Sequence, residues 1–265
     1  MGYSALADAP LFVIAGPCVM ESAAMVEDTA AELAAIVDAV GREAGRPIPF
    51  IFKASFDKAN RTAVDSFRGP GLKKGLAWLA AVREKVGVAL TTDIHEAAQA
   101  APVAEVVDVI QIPAFLSRQT DLLTAAGKTG RIVNIKKAQF LTGFDMRHAA
   151  EKVFSTGNRK VLLTERGNYH GYSDLVVDFR NIVWMREVGV PVVMDCTHAV
   201  QQPAAGRKTT GGDRRFVRPI ALAARAFGAQ GFFFEVHPDP ARARSDRDTQ
   251  ITPAQFEKIL RALVG

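Results

Sequence analysis

The stretch LFVIAGPCVMES, residues 11–22, carries one structural unit that the rest of the chain repeats. Leu11 to Ala15 is an unbroken apolar run. A strand with one wet face alternates apolar and polar residues, so a run without alternation predicts a strand covered on both faces. Gly16-Pro17 stops that strand. Ser22 then caps the amphipathic segment SAAMVEDTAAELAAIVDAVGREAG, which reads as a helix ending near glycine. Cys18 falls where the buried strand runs out. A cysteine there is either a small buried hydrophobe or a ligand or nucleophile, and one strand does not decide between these.

The same alternation continues along the chain. Further strands are predicted at PFIFKA (49–54), VALTT (88–92), DVIQI (108–112), RIVNI (131–135), KVLLTE (160–165), PVVMD (191–195) and GFFFEV (231–236). Between them lie helical segments such as GLKKGLAWLAAVREKVG, TDLLTAAGK, DMRHAAEKVFSTGN and DRRFVRPIALAARAFG. TPAQFEKILRALVG closes the chain, with Thr252 as cap and Pro253 at the first helical position. Eight such units in 265 residues predict an α/β fold, a (β/α)8 TIM barrel formed as one domain over residues 1–265. The rival is an open doubly wound sheet, but no G-x-G-x-x-G follows the first strand.

Composition narrows the function. The chain is 48% hydrophobic and 23% charged, which excludes a disordered class. No apolar run is long enough to cross a bilayer, and no basic-then-apolar leader opens the chain. Two cysteines, Cys18 and Cys196, make no disulfide framework, so a cytoplasmic location is expected. The net charge of +5 is not gathered in one block, which argues against nucleic acid as a partner and leaves small anions as candidate ligands.

In a barrel of this kind the active site forms at the C-terminal ends of the strands. Every predicted strand ends there in polar or reactive groups. Strand 1 leads to Cys18. Strand 2 ends in Lys53 and continues through Lys58, Asn60 and Arg61. Strands 3 and 4 bring Asp93, His95 and Gln111. Strands 5 and 6 bring Lys136, Lys137, Glu165 and Arg166. Strands 7 and 8 bring Asp195, His198, Glu235 and His237. Barrel closure makes strands 1, 7 and 8 neighbours, so Cys18, His198 and Glu235 converge as a site for a borderline metal ion. A fourth ligand is available among Asp239, Asp246 and Asp248. Lys53, Lys58, Arg61, Lys136 and Arg166 make a cradle for anions opposite.

Each of these residues also has a structural reading. Lys53 and Lys136 end apolar strands and need partners, and ion pairs with Asp195 or Glu165 would supply them. Cys196 reads equally well as a thiol packed beneath its loop. His95 reads as a cap of the HEAAQAA helix region, and His237 as a support for the site. His148 and His170 have weaker claims, on a helix and in a loop.

AGPCVMES, FKASFDKANRT, TDIHE, IQIPAFLSRQTDLL, VNIKKAQF, LTERG, DCTHAVQ and EVHPDP with SDRDTQ resemble the 3-deoxy-D-manno-octulosonate 8-phosphate (KDO8P) synthases. The likeness runs from Leu11 to about Gln250. KANRT is the specific part, since the related 3-deoxy-D-arabino-heptulosonate 7-phosphate (DAHP) synthases typically have Lys-Pro-Arg-Thr there. The family has metal-dependent members with Cys after Gly-Pro and metal-independent members with Asn. Cys18 resembles the first kind, and the resemblance implies a metal set of Cys18, His198, Glu235 and Asp246 holding Fe2+, Zn2+, Mn2+ or Co2+. It further implies joining of phosphoenolpyruvate to arabinose 5-phosphate, within lipopolysaccharide biosynthesis. Lys53, Lys58, Lys136 and Arg166 would hold phosphoenolpyruvate, helped by Ser55 and Gln139. Asn60, Arg61 and Thr62 would meet arabinose 5-phosphate and Asp93 its hydroxyls, with Gln111 facing substrate. The family is tetrameric, and the NRT stretch of a neighbouring subunit completes the phosphate end.

Three segments depart from the family pattern. QQPAAGRKTTGGDRR replaces a Gln-Leu-Pro and Gly-rich run, although its glycines still suit a mobile lid over 199–212. GYSDLVVD replaces Gly-Tyr-Asn-Asn, and the hairpin that plugs the barrel bottom in many relatives is expected to be reduced. The rival functions are a DAHP synthase using erythrose 4-phosphate, a metal-dependent aldolase, and a barrel that only binds sugar phosphates.

Overall fold

Continuous apolar runs can form strands only where both faces are covered, and a closed barrel ringed by helices provides that. The computed structural model describes residues 1–61, 63–170, 174–203 and 211–265. Eight parallel strands close into a barrel. They are β1 (Phe12–Gly16), β2 (Phe50–Lys53), β3 (Ala89–Asp93), β4 (Val109–Ile112), β5 (Ile132–Lys136), β6 (Val161–Glu165), β7 (Val192–Asp195) and β8 (Gly231–Glu235). Each pairs with its sequence neighbours, and closure places Phe12 beside Gly231 and Gly16 beside Glu235. Strands 1, 7 and 8 are therefore adjacent, as the sequence predicts.

A helix follows each strand: α1 (Ala23–Glu43), α2 (Leu72–Val86), α3 (Ala100–Val106), α4 (Thr120–Lys128), α5 (Met146–Phe154), α6 (Arg180–Arg186), α7 (Val217–Ala226) and α8 (Pro253–Val264). Ser22 caps α1 by accepting from the Met25 amide at 3.2 Å. Thr252 and Gln255 form a reciprocal capping box at the start of α8, with Pro253 in its first turn. Among the described residues no helix is long and apolar enough to cross a membrane.

Side-chain alternation divides the core in two. Phe12, Ile14, Ile51, Val109, Ile132, Leu162, Val193 and Phe233 fill the barrel interior. Val13, Ala15, Phe52, Leu90, Val133 and Phe234 pack outward beneath the helices. Ahead of β1 the described residues form a short helix, Ser4–Ala7, and no hairpin. Its Leu6 is fully buried in the interior cluster, and the Tyr3 hydroxyl donates to the Val161 carbonyl at 3.0 Å. This short helix plugs the barrel bottom.

Candidate active site

Gly16 turns the chain at the C-terminal end of β1. A Cβ there would lie 2.0 Å from the Lys53 carbonyl oxygen, so only glycine lets β1 and β2 approach this closely. The turn brings Cys18 to the loop after β8. Its Sγ is 2.9 Å from Ser245 Oγ and 3.3 Å from Asp246 Oδ2. One donor atom each from Cys18, Glu235 and Asp246 lies within 4.8 Å of the others. His198 Nε2 stands 3.6 Å from both Glu235 Oε1 and Asp246 Oδ2. Asp246 is the one non-glycine residue at positive φ, 45°, among the described residues. That strained backbone aims its carboxylate at the cluster.

Three features of this cluster fit a divalent ion. The buried Glu235 Oε2 has no hydrogen-bond partner. Burial, together with the carboxylates of Asp246 and Glu235, pushes the Cys18 thiol well above its ordinary pKa, a penalty that a cation beside the sulfur reverses. His198 presents Nε2 to the cluster because Asp195 Oδ2 engages its Nδ1 at 2.8 Å. Asp195 Oδ1 also accepts from the amides of Thr197 and His198. Burial works against the charge of Asp195, but His198 and Lys136 outweigh it and hold the carboxyl well below its usual range. A mixed thiolate, imidazole and carboxylate set suits a transition ion better than a hard one.

The cations face this cluster. Lys53, fully buried, donates to the carbonyls of Pro17 and Cys18 and to Glu235 Oε1 at 2.7 Å. Lys136 donates to Asp195 Oδ2 at 2.6 Å, and its Nζ lies 3.7 Å from the centroid of the Phe233 ring, the apolar floor of the site. Burial pulls the Lys136 pKa down, and Lys53 adds to the effect. Lys58 donates to Ser55 Oγ at 3.0 Å. Burial opposes its charge, yet Cys18, Glu235, Asp93 and Asp246 together hold it well above the ordinary lysine value. Arg166 is buried, donates through Nη2 to Gln201 Oε1 at 2.8 Å, and leaves Nη1 unpartnered.

These groups line one cavity of about 750 Å³, together with Asn60, Arg61, Asp93, Gln111 and Gln139. Ser55 sits behind Lys58 and reaches the cavity only through it. Asp93 contacts His95 Nε2 at 3.1 Å and keeps Oδ1 unpartnered. Burial raises the Asp93 pKa, but His95 and Lys58 more than compensate, so it stays ionised. Gln111 accepts from Asn134 at 3.4 Å. Arg61 is folded back onto the Phe67 carbonyl at 3.0 Å and the Arg244 carbonyl at 3.2 Å. Thr62 lies outside the described residues, as does 204–210 of the expected lid.

Comparison with known proteins places this cavity in a family. The sequence model of the DAHP synthetase I family matches residues 4–264. The chain belongs to the DAHP synthetase I family. Within reach of that family, it is 51% identical to a 2-dehydro-3-deoxyphosphooctonate aldolase of Desulfatibacillum aliphaticivorans, over 97% of this chain and 92% of the relative. It is 52% identical to the protein of that name in Granulibacter bethesdensis, over 97% and 89%. A third relative of that name, from Nitratidesulfovibrio vulgaris, is 53% identical over 89% and 84%.

Against the sequence expectations, this DAHP synthetase I barrel makes several corrections. Lys53 pairs with Glu235 rather than with Asp195 or Glu165, because closure sets β8 on one side of β1 and β2 on the other, so Lys53 reaches Glu235 across the end of β1. Glu165 is not in the cavity. It points outward from β6 and pairs with Lys137 at 3.5 Å. His95 does not cap a helix with its ring, which turns toward Asp93 and the cavity. Cys196 packs in the outer core, its thiol 3.6 Å from the Met194 carbonyl. Lys136 does pair with Asp195, one of its two expected partners, but the contact of Asp195 with the His198 ring and the parts played by Ser245 and Phe233 are not in the sequence reading. Asp195 carried a signal, since it stands three residues before His198 and can reach its ring.

Proposed function

We propose that this chain is a KDO8P synthase, which condenses phosphoenolpyruvate with D-arabinose 5-phosphate and water to 3-deoxy-D-manno-octulosonate 8-phosphate and inorganic phosphate. The observation that carries the proposal is the cavity itself, where a Cys/His/Glu/Asp donor set faces buried cations. A substrate with both a carboxylate and a phosphate suits that arc of charge. The names of the relatives at about half identity support the same reading.

C3 of phosphoenolpyruvate attacks the sugar aldehyde, water adds at C2, and phosphate leaves with cleavage of its C–O bond. Lys58, Lys136 and Arg166 bind phosphoenolpyruvate, with Gln139 and Lys53 beside them and Ser55 steadying Lys58. Arg166 offers its unpartnered Nη1 to an anion. Lys136, its proton loosened by burial, is placed to give a proton to the developing product. Asp93, ionised, with a free oxygen, accepts from sugar hydroxyls, and Gln111, Asn60, Arg61 and Thr62 meet the rest of the sugar phosphate. Cys18, His198, Glu235 and Asp246 would hold a divalent ion such as Fe2+, Zn2+, Mn2+ or Co2+. When bound, that ion supplies Lewis acidity to orient the aldehyde or to position a water.

Asn60 and Arg61 line the cavity of their own chain. A homotetramer in which a neighbour's segment completes the site rests on the resemblance. A cytoplasmic setting goes with this reading, since Cys18 must stay unoxidised to serve as a ligand. The test is release of inorganic phosphate from phosphoenolpyruvate with each aldose phosphate, before and after chelation. Arabinose 5-phosphate is expected to be the better acceptor. Faster turnover of erythrose 4-phosphate would identify a DAHP synthase instead, and no phosphate release with either would point to an aldolase or a binding barrel.

A further inference from the structure

Lys137 is fully buried, and it does not face the cavity. Strand alternation turns Lys136 inward and Lys137 outward, between the barrel and the helices. There its ammonium donates to the Leu141 carbonyl at 3.1 Å, the Gly167 carbonyl at 3.2 Å and Asn168 Oδ1 at 2.9 Å. Its charge partner is Glu165 Oε1 at 3.5 Å. That same carboxylate oxygen accepts from the amides of Arg166 at 3.0 Å and Gly167 at 2.6 Å. Asn168 in turn donates to the carbonyls of Gln139 at 3.0 Å and Leu141 at 2.7 Å. Three side chains thus tie the loop after β5 to the loop after β6.

What the clamp holds is specific. Lys136 precedes Lys137, Gln139 follows it by two, and Arg166 follows Glu165. Those three neighbours all line the cavity. We propose that Lys137, Glu165 and Asn168 are positioning residues that set the spacing of Lys136, Gln139 and Arg166, and so the affinity for the anionic enol substrate. The inference rests on the functional reading above, because it takes phosphoenolpyruvate as that substrate.

The physical argument is one of precision. Three groups on two loops must meet one rigid dianion, and small misplacements of such groups are costly. A buried ion pair contributes little net stability compared with an apolar pair of the same shape. The hydrogen bonds that this pair makes do fix geometry, and a hydrophobic pair would not reproduce them.

The experiment compares the parent chain with K137M/E165Q, which leaves no buried charge unpaired, and with N168A as a milder second variant. Unfolding midpoints are recorded alongside the kinetics. The expected result for K137M/E165Q is a KM for phosphoenolpyruvate raised about tenfold or more, with kcat and the KM for arabinose 5-phosphate changed by less than about threefold. N168A is expected to show the same split at about threefold or more. A merely structural clamp would lower the active fraction and hence kcat, and leave both KM values unmoved. Unchanged KM for phosphoenolpyruvate in either folded variant, or a parallel rise in both KM values, overturns the inference alone. A parent chain that consumes no phosphoenolpyruvate overturns the functional reading and the inference with it.

Discussion

Asp195 Oδ2 lies 2.8 Å from Nδ1 of His198 and so leaves Nε2 as the ring atom that faces Glu235 and Asp246. This contact selects the tautomer with its proton on Nδ1, the form that offers a lone pair to a metal ion. The same carboxylate oxygen takes the Lys136 ammonium. One side chain from β7 therefore sets both the imidazole on one side and the cation on the other.

Asp195→Asn is expected to weaken divalent-metal affinity by about 10- to 100-fold. It also strands a buried Lys136, which costs about 3–5 kcal/mol of stability. The sign with pH follows from the depressed pKa of Asp195. A carboxyl lowered on folding contributes stability above its unfolded pKa of about 3.9 and loses it as pH falls further. The variant should therefore show a flatter acid limb. Metal titration, and unfolding midpoints between about pH 3 and 6, check both parts.

Chelation is expected to abolish activity, and a divalent transition ion to restore it. Cys18→Asn separates the sulfur from the rest of the site. Loss of the thiolate removes the softest donor, so metal binding falls steeply. The amide can still hydrogen-bond in that space, near Ser245 and Asp246. The variant is expected to keep a reduced rate that no longer responds to chelator, whereas His198→Ala loses nearly all activity. Metal content and phosphate release, with and without chelator, decide this. A rate that still needed added metal would show that Cys18 is not an essential ligand.

Gly16→Ala puts a methyl group 2.0 Å from a backbone oxygen of β2. Neither strand can yield without opening the barrel seam, so a loss of about 3 kcal/mol or more is expected. Denaturant unfolding measures it, and a change below about 1 kcal/mol would contradict the proximity argument.

Leu6→Ala tests the plug. Leu6 is fully buried against the interior residues at the barrel bottom. Its truncation is expected to cost about 2–5 kcal/mol, with little effect on KM because the cavity opens at the other end. The same unfolding curves, read beside the kinetics, check both expectations.

Fold and strand order were legible in the sequence. Unalternating runs such as Leu11–Ala15, spaced by capped helices, demand a sheet covered on both faces, and eight of them close a barrel. The gathering of Cys18, His198 and Glu235 followed from closure alone. The partners of the charged residues followed only in part: Lys136 meets Asp195, one of its two expected partners, but Lys53 meets neither. Whether Lys53 meets Glu235 or Asp195 depends on register and stagger between strands far apart in sequence. That Lys136 faces the cavity while Lys137 braces the loops depends on which face of β5 turns inward, a two-residue period that adjacent lysines leave open. Strand order left Asp246 as one of three aspartates; the family resemblance implied it, and the folded chain brings its carboxylate within 3.3 Å of the Cys18 sulfur. Local pattern determined the elements, because periodicity and capping are properties of neighbouring residues. Pairing and cavity were decided only in three dimensions, because they depend on groups from different strands, Lys53 and Glu235 being 182 residues apart, and even the near neighbours Asp195 and His198 set a tautomer only once the turn after β7 folds one onto the other.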